Sequence, residues 1–428
     1  MNTIKVLIVS RTPWNNSNSF GNTFSNLFGG MSGVKIYNIC CQPGSIENDI
    51  VKDTLQITES SLFNILLRRH KTANKEGSHE SEALQQIQGY GKKQRSTWMF
   101  IVRDLIWRVS SRVWKKEIRD FANKVKPDIL YFPLYPSWYM CNIDKYLIKI
   151  ISKPVVFHIS DDDYGYPPQI SSLSLPYFYR SILRCKIRSL VQRASYLEVF
   201  AENMKVAYEK EFGVPCYVIG KGVKLEDIEK GNNHVCGDVV HFVYTGGVAG
   251  ERMKVLLELG RSLSKNNDKK KCILDIYSAT PLSKEAKFEL ESVESISFHG
   301  AISGTEVKGV QQKADCLVHV EGFSEKAVFE AGMSFSTKII DYMATGNILL
   351  AIGHKDINSI QVLKKYKIAI VVDELKDLDS TVDCLLNEKT DIQTIKENAY
   401  KYLVNERDIE VIQHGVFERM IKVLCNRA

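Results

Sequence analysis

Two short stretches in the second half of the chain carry residue types suited to phosphate chemistry. In FSTKIIDYMATGN, residues 335–347, an apolar helical pattern opens on hydroxyls and a lysine. Ser336 or Thr337 makes an N-cap, which puts Lys338 in the first turn, where free N–H groups already present partial positive charge. A cation there is locally unfavourable. The misfit disappears if an anion docks, because hydroxyls, amides and the ammonium then converge on one phosphate. Asp341 follows three residues later on the same helical face, and a carboxylate accepts well from vicinal hydroxyls. Lysine toward a phosphate and aspartate toward a ribose together read a nucleoside diphosphate. The alternative is a Lys338–Asp341 ion pair worth about 0.2–0.5 kcal/mol, which supports the helix but does not explain why the lysine stands first, against the dipole.

The second stretch, YTGGVAGERMKVLLELGRSL (residues 244–263), reads as a strand ending in Gly246 and Gly247, a short loop, then Arg252 and Lys254 at the mouth of a leucine-rich helix. Glycines after a strand let a ligand approach the backbone, and the two cations can neutralise a diphosphate. A glycine turn before a solvated helix start explains the same residues without a ligand.

Such groups need strands and helices to hold them. Short apolar runs alternate with amphipathic segments along the chain, from KVLIVS, DILYFP and PVVFHIS in the first half to VHFVYTG, CILDIYS and ILLAIG in the second. This pattern predicts parallel sheets with crossover helices. At 428 residues the chain exceeds one core of about 250–300 residues, so two domains are expected. The polar stretch 222–238 separates them as a linker. The expected parse is α/β: a Rossmann-like domain over 1–225, a second over 238–395, and a helical tail over 396–428 that closes the second domain or packs back on the first. Residues 71–97 carry few large apolar groups and are expected to be a mobile insertion. A single helix is expected over 98–122, with Trp98, Val102, Leu105, Val109 and Val113 on one stripe and Arg108, Arg112, Lys115 and Arg119 on another.

Composition narrows the classes further. Hydrophobic content of 44% and charged content of 25% are ordinary for a globular protein. A net charge of +7 suits phosphates, anionic lipid or nucleic acid alike. The ten cysteines form no C-x-x-C pair, so neither a zinc cage nor a redox motif is visible, and free thiols in a reducing compartment are expected. No stretch approaches the roughly 20 uninterrupted apolar residues of a membrane span, since Arg103 and Asp104 break WMFIVRDLIW. The first apolar segment, IKVLIVS, reads as a strand rather than a signal peptide. A cytoplasmic protein is expected, peripheral at most on the inner membrane face.

The strand–GG–Arg/Lys–helix unit, followed by S-x-K-x-x-D-Y-M-A-x-G and a hydrophobic strand, resembles the C-terminal donor domain of the large retaining GT-B glycosyltransferase group, the family-four-like glycosyl transferases group 1. The stretch RASYLEVFAENMKVAYEKEFGVPCYVIGKGV (193–223) resembles the group's usual lead-in, with a helix ending at Gly213. In PVVFHISDDDYG, His158 resembles the histidine that these enzymes place at the cleft. The resemblance covers most of residues 150–420; before that it rests on the opening strand and loop. It implies a GT-B fold, two doubly wound domains facing across a cleft. It further implies Arg252 and Lys338 on the diphosphate beside Ser336 and Thr337, Asp341 on the ribose, Glu321 of VHVEGF facing the donor sugar, and His158 near the reacting centre. The chain departs from the group in places. The insertion SEKAVFEAGMS lengthens the spacing between Glu321 and Asp341, leaving Glu325 and Glu330 as alternatives to Glu321. Gly247 stands where a donor-loop cation is usual, leaving Lys254 as a substitute. A packed or hydrogen-bonded structural histidine is the other role open to His158, and Asp161, Asp162 and Asp163 either cap a helix or sit in water.

The implied activity is transfer of a sugar from a nucleotide diphosphate sugar to a glycan or lipid-linked acceptor, with retention, and with no metal or dissociable cofactor. Rivals are a GT-B epimerase or phosphorylase and a non-catalytic sugar-nucleotide-binding protein. Nucleic acid is not an expected partner, because the basic residues concentrate on one helix without aromatic platforms on strands. An anionic membrane surface is a candidate partner for that basic helix, with Lys92, Lys93 and Arg95 ahead of it and Trp107 and Trp114 beside it; a solvated basic face over core tryptophans is the alternative.

Overall fold

The computed structural model describes residues 3–16, 18–66, 97–167, 171–229, 231, 239–266 and 270–426. The expected insertion, apart from Thr97, lies outside the described residues, as do Lys92, Lys93, Arg95 and residues 232–238 of the linker. The chain divides into two compact units, one made of residues 1–219 with 411–428 and the other of residues 220–410.

The first unit holds seven strands: β1 (Ile4–Ser10), β2 (Val34–Cys40), β3 (Val51–Gln56), β4 (Ile129–Pro133), β5 (Val155–Ile159), β6 (Tyr196–Val199) and β7 (Cys216–Val218). They form one sheet in the order β3-β2-β1-β4-β5-β6-β7, with every pairing parallel. Val6, Leu7, Ile8 and Val9 are all fully buried. Helices cover both sheet faces, so the strand reads as a continuous apolar run and not an alternating one. The helices are α1 (Ser19–Phe28), α2 (Glu59–Leu66), α3 (Thr97–Val109), α4 (Ser111–Val125), α5 (Trp138–Ile150), α6 (Leu175–Val191) and α7 (Glu202–Phe212). Gly213, at φ 68°, ends α7 in the left-handed region that glycine adopts without a steric penalty.

The single helix expected over 98–122 is two helices. Ser110 separates them, its hydroxyl donating to the Ile106 carbonyl at 2.8 Å; such back-bonding by serine competes with the helical ladder. Trp107 and Trp114 are buried, and the Trp114 indole donates to the Trp107 carbonyl at 2.7 Å across the break. The stripe carrying Trp98, Val102, Leu105 and Val109 faces solvent instead.

The second unit repeats the plan with β8 (Val239–Thr245), β9 (Lys271–Tyr277), β10 (Ile296–Gly300), β11 (Cys316–Val320), β12 (Ile348–Ile352) and β13 (Ile370–Val372) in the parallel order β10-β9-β8-β11-β12-β13. Its helices are α8 (Glu251–Ser264), α9 (Lys284–Glu291), α10 (Gly304–Gln312), α11 (Glu325–Ala331), α12 (Lys338–Ala344), α13 (Asn358–Tyr366), α14 (Leu378–Leu386) and α15 (Ile392–Glu406). One core lies under α8 with Leu256, Leu259 and Leu263, and another under α12 with Ile339, Ile340 and Met343.

The expected tail 396–428 is shared between the units. Tyr402 and Leu403 of α15 are buried in the second. From Val411 onward, α16 (Ile409–Cys425) belongs to the first, where Val416 and Met420 are buried. There Gln413 donates to the carbonyls of Asn26 and Gly29 at 2.8 and 2.7 Å, satisfying groups left open at the end of α1. Arg419 donates to the fully buried Glu198 at 3.3 Å.

Candidate functional site

In a doubly wound sheet, ligands bind beyond the carboxyl ends of the strands where the strand order reverses. In the second unit that point lies between β8 and β11. The end of β8 is held firmly. The Tyr342 hydroxyl donates to the Thr245 carbonyl at 3.0 Å and accepts from the Thr245 amide at 3.2 Å, while Gln311 donates to the Thr245 hydroxyl at 2.8 Å. Lys338 reaches the same carbonyl, Nζ to O at 3.2 Å. The residue as a whole is exposed, while its ammonium lies against the end of β8. Burial, and then the charge of Arg252, hold Lys338 below the ordinary lysine range.

Gly246 is closely approached. A Cβ at this position would lie 2.7 Å from the Tyr244 hydroxyl and 2.9 Å from Lys338 Nζ, so a side chain here would displace the ammonium or the phenol. The glycine lets the backbone and the ammonium come together as they do. Gly247 is looser, its nearest neighbour to an added Cβ being the Thr280 hydroxyl at 3.4 Å.

Arg252, in the first turn of α8, directs Nε and Nη2 to one oxygen of Glu321 at 3.1 and 2.8 Å. Glu321 follows β11 and is 6% exposed. Burial works against the charge on Arg252, but Glu321 more than offsets this and the guanidinium stays above its ordinary range. His319, two residues earlier, is buried with Nε2 3.6 Å from the other Glu321 oxygen, and burial pushes it down to about 4. The loop behind Glu321 is fastened by Glu251, which accepts from the amides of Phe323 and Ser324 at 2.9 and 3.0 Å.

The residues expected from sequence thus separate into groups. Gly246, Arg252, Glu321 and Lys338 come together. Of the three candidate acids, Glu325 and Glu330 are exposed on α11, and Glu330 pairs with Lys326 at 3.9 Å, so Glu321 is the one that meets Arg252. Lys254 is exposed and acts electrostatically on Glu251. Thr337 stands at the N-cap of α12 but makes no side-chain cap bond, and the Ser336 amide donates to the Ser359 hydroxyl at 3.2 Å. Asp341 pairs with Lys221 at 2.6 Å and not with Lys338.

Two roles are open to His158, one near a reacting centre and one as a packed, hydrogen-bonded residue. It is 2% exposed, its Nδ1 lies 3.0 Å from the Tyr131 hydroxyl, and Phe24 and Phe200 pack on its ring at 4.9 and 5.1 Å. Tyr131 in turn donates to Glu198. Burial pushes His158 down to about 3, so it is neutral, and its Nε2 has no hydrogen-bond partner. The side chain is packed and hydrogen-bonded within the first unit.

Glu251, Lys221, Thr245 and Tyr342 acquire roles that sequence reasoning did not assign. Glu251 adjoins Arg252 in the quoted loop, but its partners lie 72 and 73 residues away and nothing in the spacing points to them.

No family model matches the chain, and no curated protein matches it in sequence. Solved structures do match in fold. An α,α-trehalose 6-phosphate synthase from Burkholderia multivorans aligns over 100% of both chains with a TM-score of 0.65 at 10% identity. The sucrose-phosphate synthase of Thermosynechococcus elongatus aligns over 99% of this chain and 100% of its own, with a TM-score of 0.62 at 9% identity. HepE of Anabaena, solved with UDP, aligns over 98% of this chain and 100% of its own, with a TM-score of 0.63 at 13% identity; it has also been solved with UDP-glucose. The chain has the GT-B fold, built on two parallel Rossmann-like sheets.

Proposed function

We propose that this protein is a glycosyltransferase that moves a sugar from a nucleotide diphosphate sugar to a glycan or lipid-linked acceptor in polysaccharide or glycoconjugate biosynthesis. The reaction in this reading retains the anomeric configuration and does without a metal ion. The observation that carries it is the closeness of Arg252 and Lys338 at the β8/β11 reversal, beside a Gly246 where an added Cβ would press on the ammonium. Two cations on an open backbone suit a diphosphate, and the Anabaena protein of the same fold binds UDP and UDP-glucose.

In this proposal Arg252 and Lys338 balance the negative charge that develops on the diphosphate as the bond to the sugar breaks. Both are already held by protein partners, so little reorganisation accompanies the step. Glu321, fixed by Arg252, faces the donor sugar. Asp341 accepts from the ribose hydroxyls while Lys221 holds one of its oxygens. His158 takes no part.

A thermal-shift series with UDP, GDP and ADP tests the donor half, because a ligand at a hundredfold excess over its dissociation constant adds about 2.7 kcal/mol to the native state. The expected result is a shift with one nucleoside diphosphate, lost in Lys338→Ala. Release of that diphosphate from its sugar only when an acceptor is present then separates transfer from epimerisation. No shift with any nucleotide would sink the reading.

A further inference from the structure

The face of the first unit that carries α3 has the composition of a surface that water does not suit. Trp98, Val102, Leu105 and Val109 recur at i, i+4, i+7 and i+11 on one side of the helix, and with Met99 they are 39% to 62% exposed. The opposite side of α3 is buried through Trp107 and Asp104. The helix is thus apolar on two faces, and only one is covered. Phe63 and Ile65 on α2, which packs against α3, are also about half exposed, as is Phe178 on α6. Exposed apolar side chains grouped on packed helices mark an interaction site more often than single scattered ones do.

Cations border the patch. Arg108 and Arg112 are exposed at the end of the stripe, followed by Lys116 and Arg119 on α4. The only acid on α3 is Asp104, and it is turned inward to accept from the Tyr139 amide and the Tyr179 hydroxyl. Beside Phe178 a groove of about 370 Å³ opens between α5 and α6, with Lys145 and Lys186 on its wall. Burial, and the like charges of Lys145 and Arg108, hold Lys186 below the ordinary lysine range. The two helices that form the groove both pack against α3.

We propose that this face docks on an anionic lipid surface, with the α3 stripe entering the headgroup layer and Arg108, Arg112, Lys145 and Lys186 meeting lipid phosphates. Long basic side chains at the edge of an apolar stripe place their charges at headgroup level while the stems lie along the apolar region. A second copy of the chain is a poorer occupant, because it would bring the same cations into the contact with no exposed acid on α3 to pair them. No described helix is long and apolar enough to cross a membrane, so the attachment is to one leaflet. The residues proposed for the donor, Arg252, Glu321, Lys338 and Asp341, all belong to the other unit.

Flotation of the full chain with vesicles tests the docking. Binding is expected to vesicles of equimolar phosphatidylcholine and phosphatidylglycerol, to weaken with added salt, and to be absent with phosphatidylcholine alone. Arg108→Glu with Arg112→Glu is expected to reduce the partition coefficient about fivefold per charge removed. Leu105→Ser with Val109→Ser is expected to reduce it at least as much. All four positions are exposed, so melting temperature and UDP binding serve as controls and are expected to hold. No binding to the anionic vesicles, equal binding to neutral ones, or unchanged binding by both double variants would overturn the proposal. So would a self-association, lost in Leu105→Ser with Val109→Ser, that covers the stripe without vesicle binding.

Discussion

The same strand order recurs in both sheets, with the reversal between β1 and β4 in the first unit and between β8 and β11 in the second. The charges gathered near the two reversals differ. At β8/β11 Arg252 and Lys338 come close, Glu321 turning one oxygen to Arg252 while Asp341 pairs with Lys221. Near β1/β4 Arg11 follows the strand with its Nε buried and unpartnered, and the loop after the neighbouring β5 carries Asp161, Asp162 and Asp163, with Arg180 close enough to act on Asp163. Burial, with Asp161 adding to it, pushes Asp163 up to about 7. Asp162 shapes the loop, accepting from the amides of Tyr164 and Gly165 at 3.1 and 3.0 Å and from the Tyr208 hydroxyl at 2.8 Å. Topology therefore decides where a ligand can sit, and side-chain charge decides which ligand. Cations on a glycine backbone suit phosphate, whereas carboxylates suit hydroxyl donors.

If the second unit's reversal carries the chemistry, Glu321→Gln should have the largest effect, a fall in turnover of about a hundredfold with the dissociation constant for UDP unchanged. Steady-state kinetics with calorimetry on the same preparation checks this, and equal losses in both would return Glu321 to a purely structural role. Lys338→Ala comes next. Losing a charge-assisted contact raises the dissociation constant for UDP about 10- to 100-fold, while the melting temperature without nucleotide is expected to hold or rise, since the lysine is destabilised where it sits.

A third experiment asks whether His158 in the first unit is only structural. Its pKa falls from 6.5 to about 3 on folding, so the unfolded chain takes the proton first. The stability it contributes is complete above pH 6.5 and is lost as the pH falls toward 3. His158→Gln should therefore lose melting temperature less steeply than the wild type below pH 6.5, with UDP affinity unaltered. An identical pH profile would remove the histidine from the acid response. The smallest effect is expected for Asp341→Asn, about a fivefold weakening for UDP and less for 2′-deoxy-UDP, because one hydroxyl partner is missing in the second case. Equal weakening of both nucleotides would make Asp341 a partner of Lys221 alone.

Much of the architecture was legible because parallel strands buried on both faces leave uninterrupted apolar runs such as KVLIVS and ILLAIG, and because Gly213 closes a helix in the way glycine does. Within the site, Lys338 was legible from its conflict with the helix start and Gly246 from its place after a strand. Lys338 meets the backbone of β8, 93 residues earlier, and no local pattern encodes that distance. Asp341 shows the same limit: its position on α12 was readable, but its partner Lys221 lies 120 residues away. The single helix expected over 98–122 failed for another reason: periodicity runs on through Ser110, whose hydroxyl turns back to the Ile106 carbonyl and ends α3, while Trp107 on α3 and Trp114 on α4 are buried as the core alternative had them. For His158 the two roles could not be told apart, because a strand end fixes height along the sheet but not the direction of the side chain; its burial and its Tyr131 partner, 27 residues earlier, are tertiary facts.

Because α16 returns to the first unit, that unit is discontinuous, with residues 220–410 inserted into it. During synthesis it is therefore begun first and finished last. At about 5–20 residues per second, the insertion of about 190 residues occupies the ribosome for about 10–40 s before Arg419 can reach Glu198 and Gln413 can close the end of α1. For that interval Glu198 lacks its counter-charge and the apolar seat of Val416 and Met420 is open. The second unit has its own core, wholly encoded before residue 411, and can fold while the first waits. The nascent chain thus passes through a state in which the core of the second unit is complete and that of the first is still open.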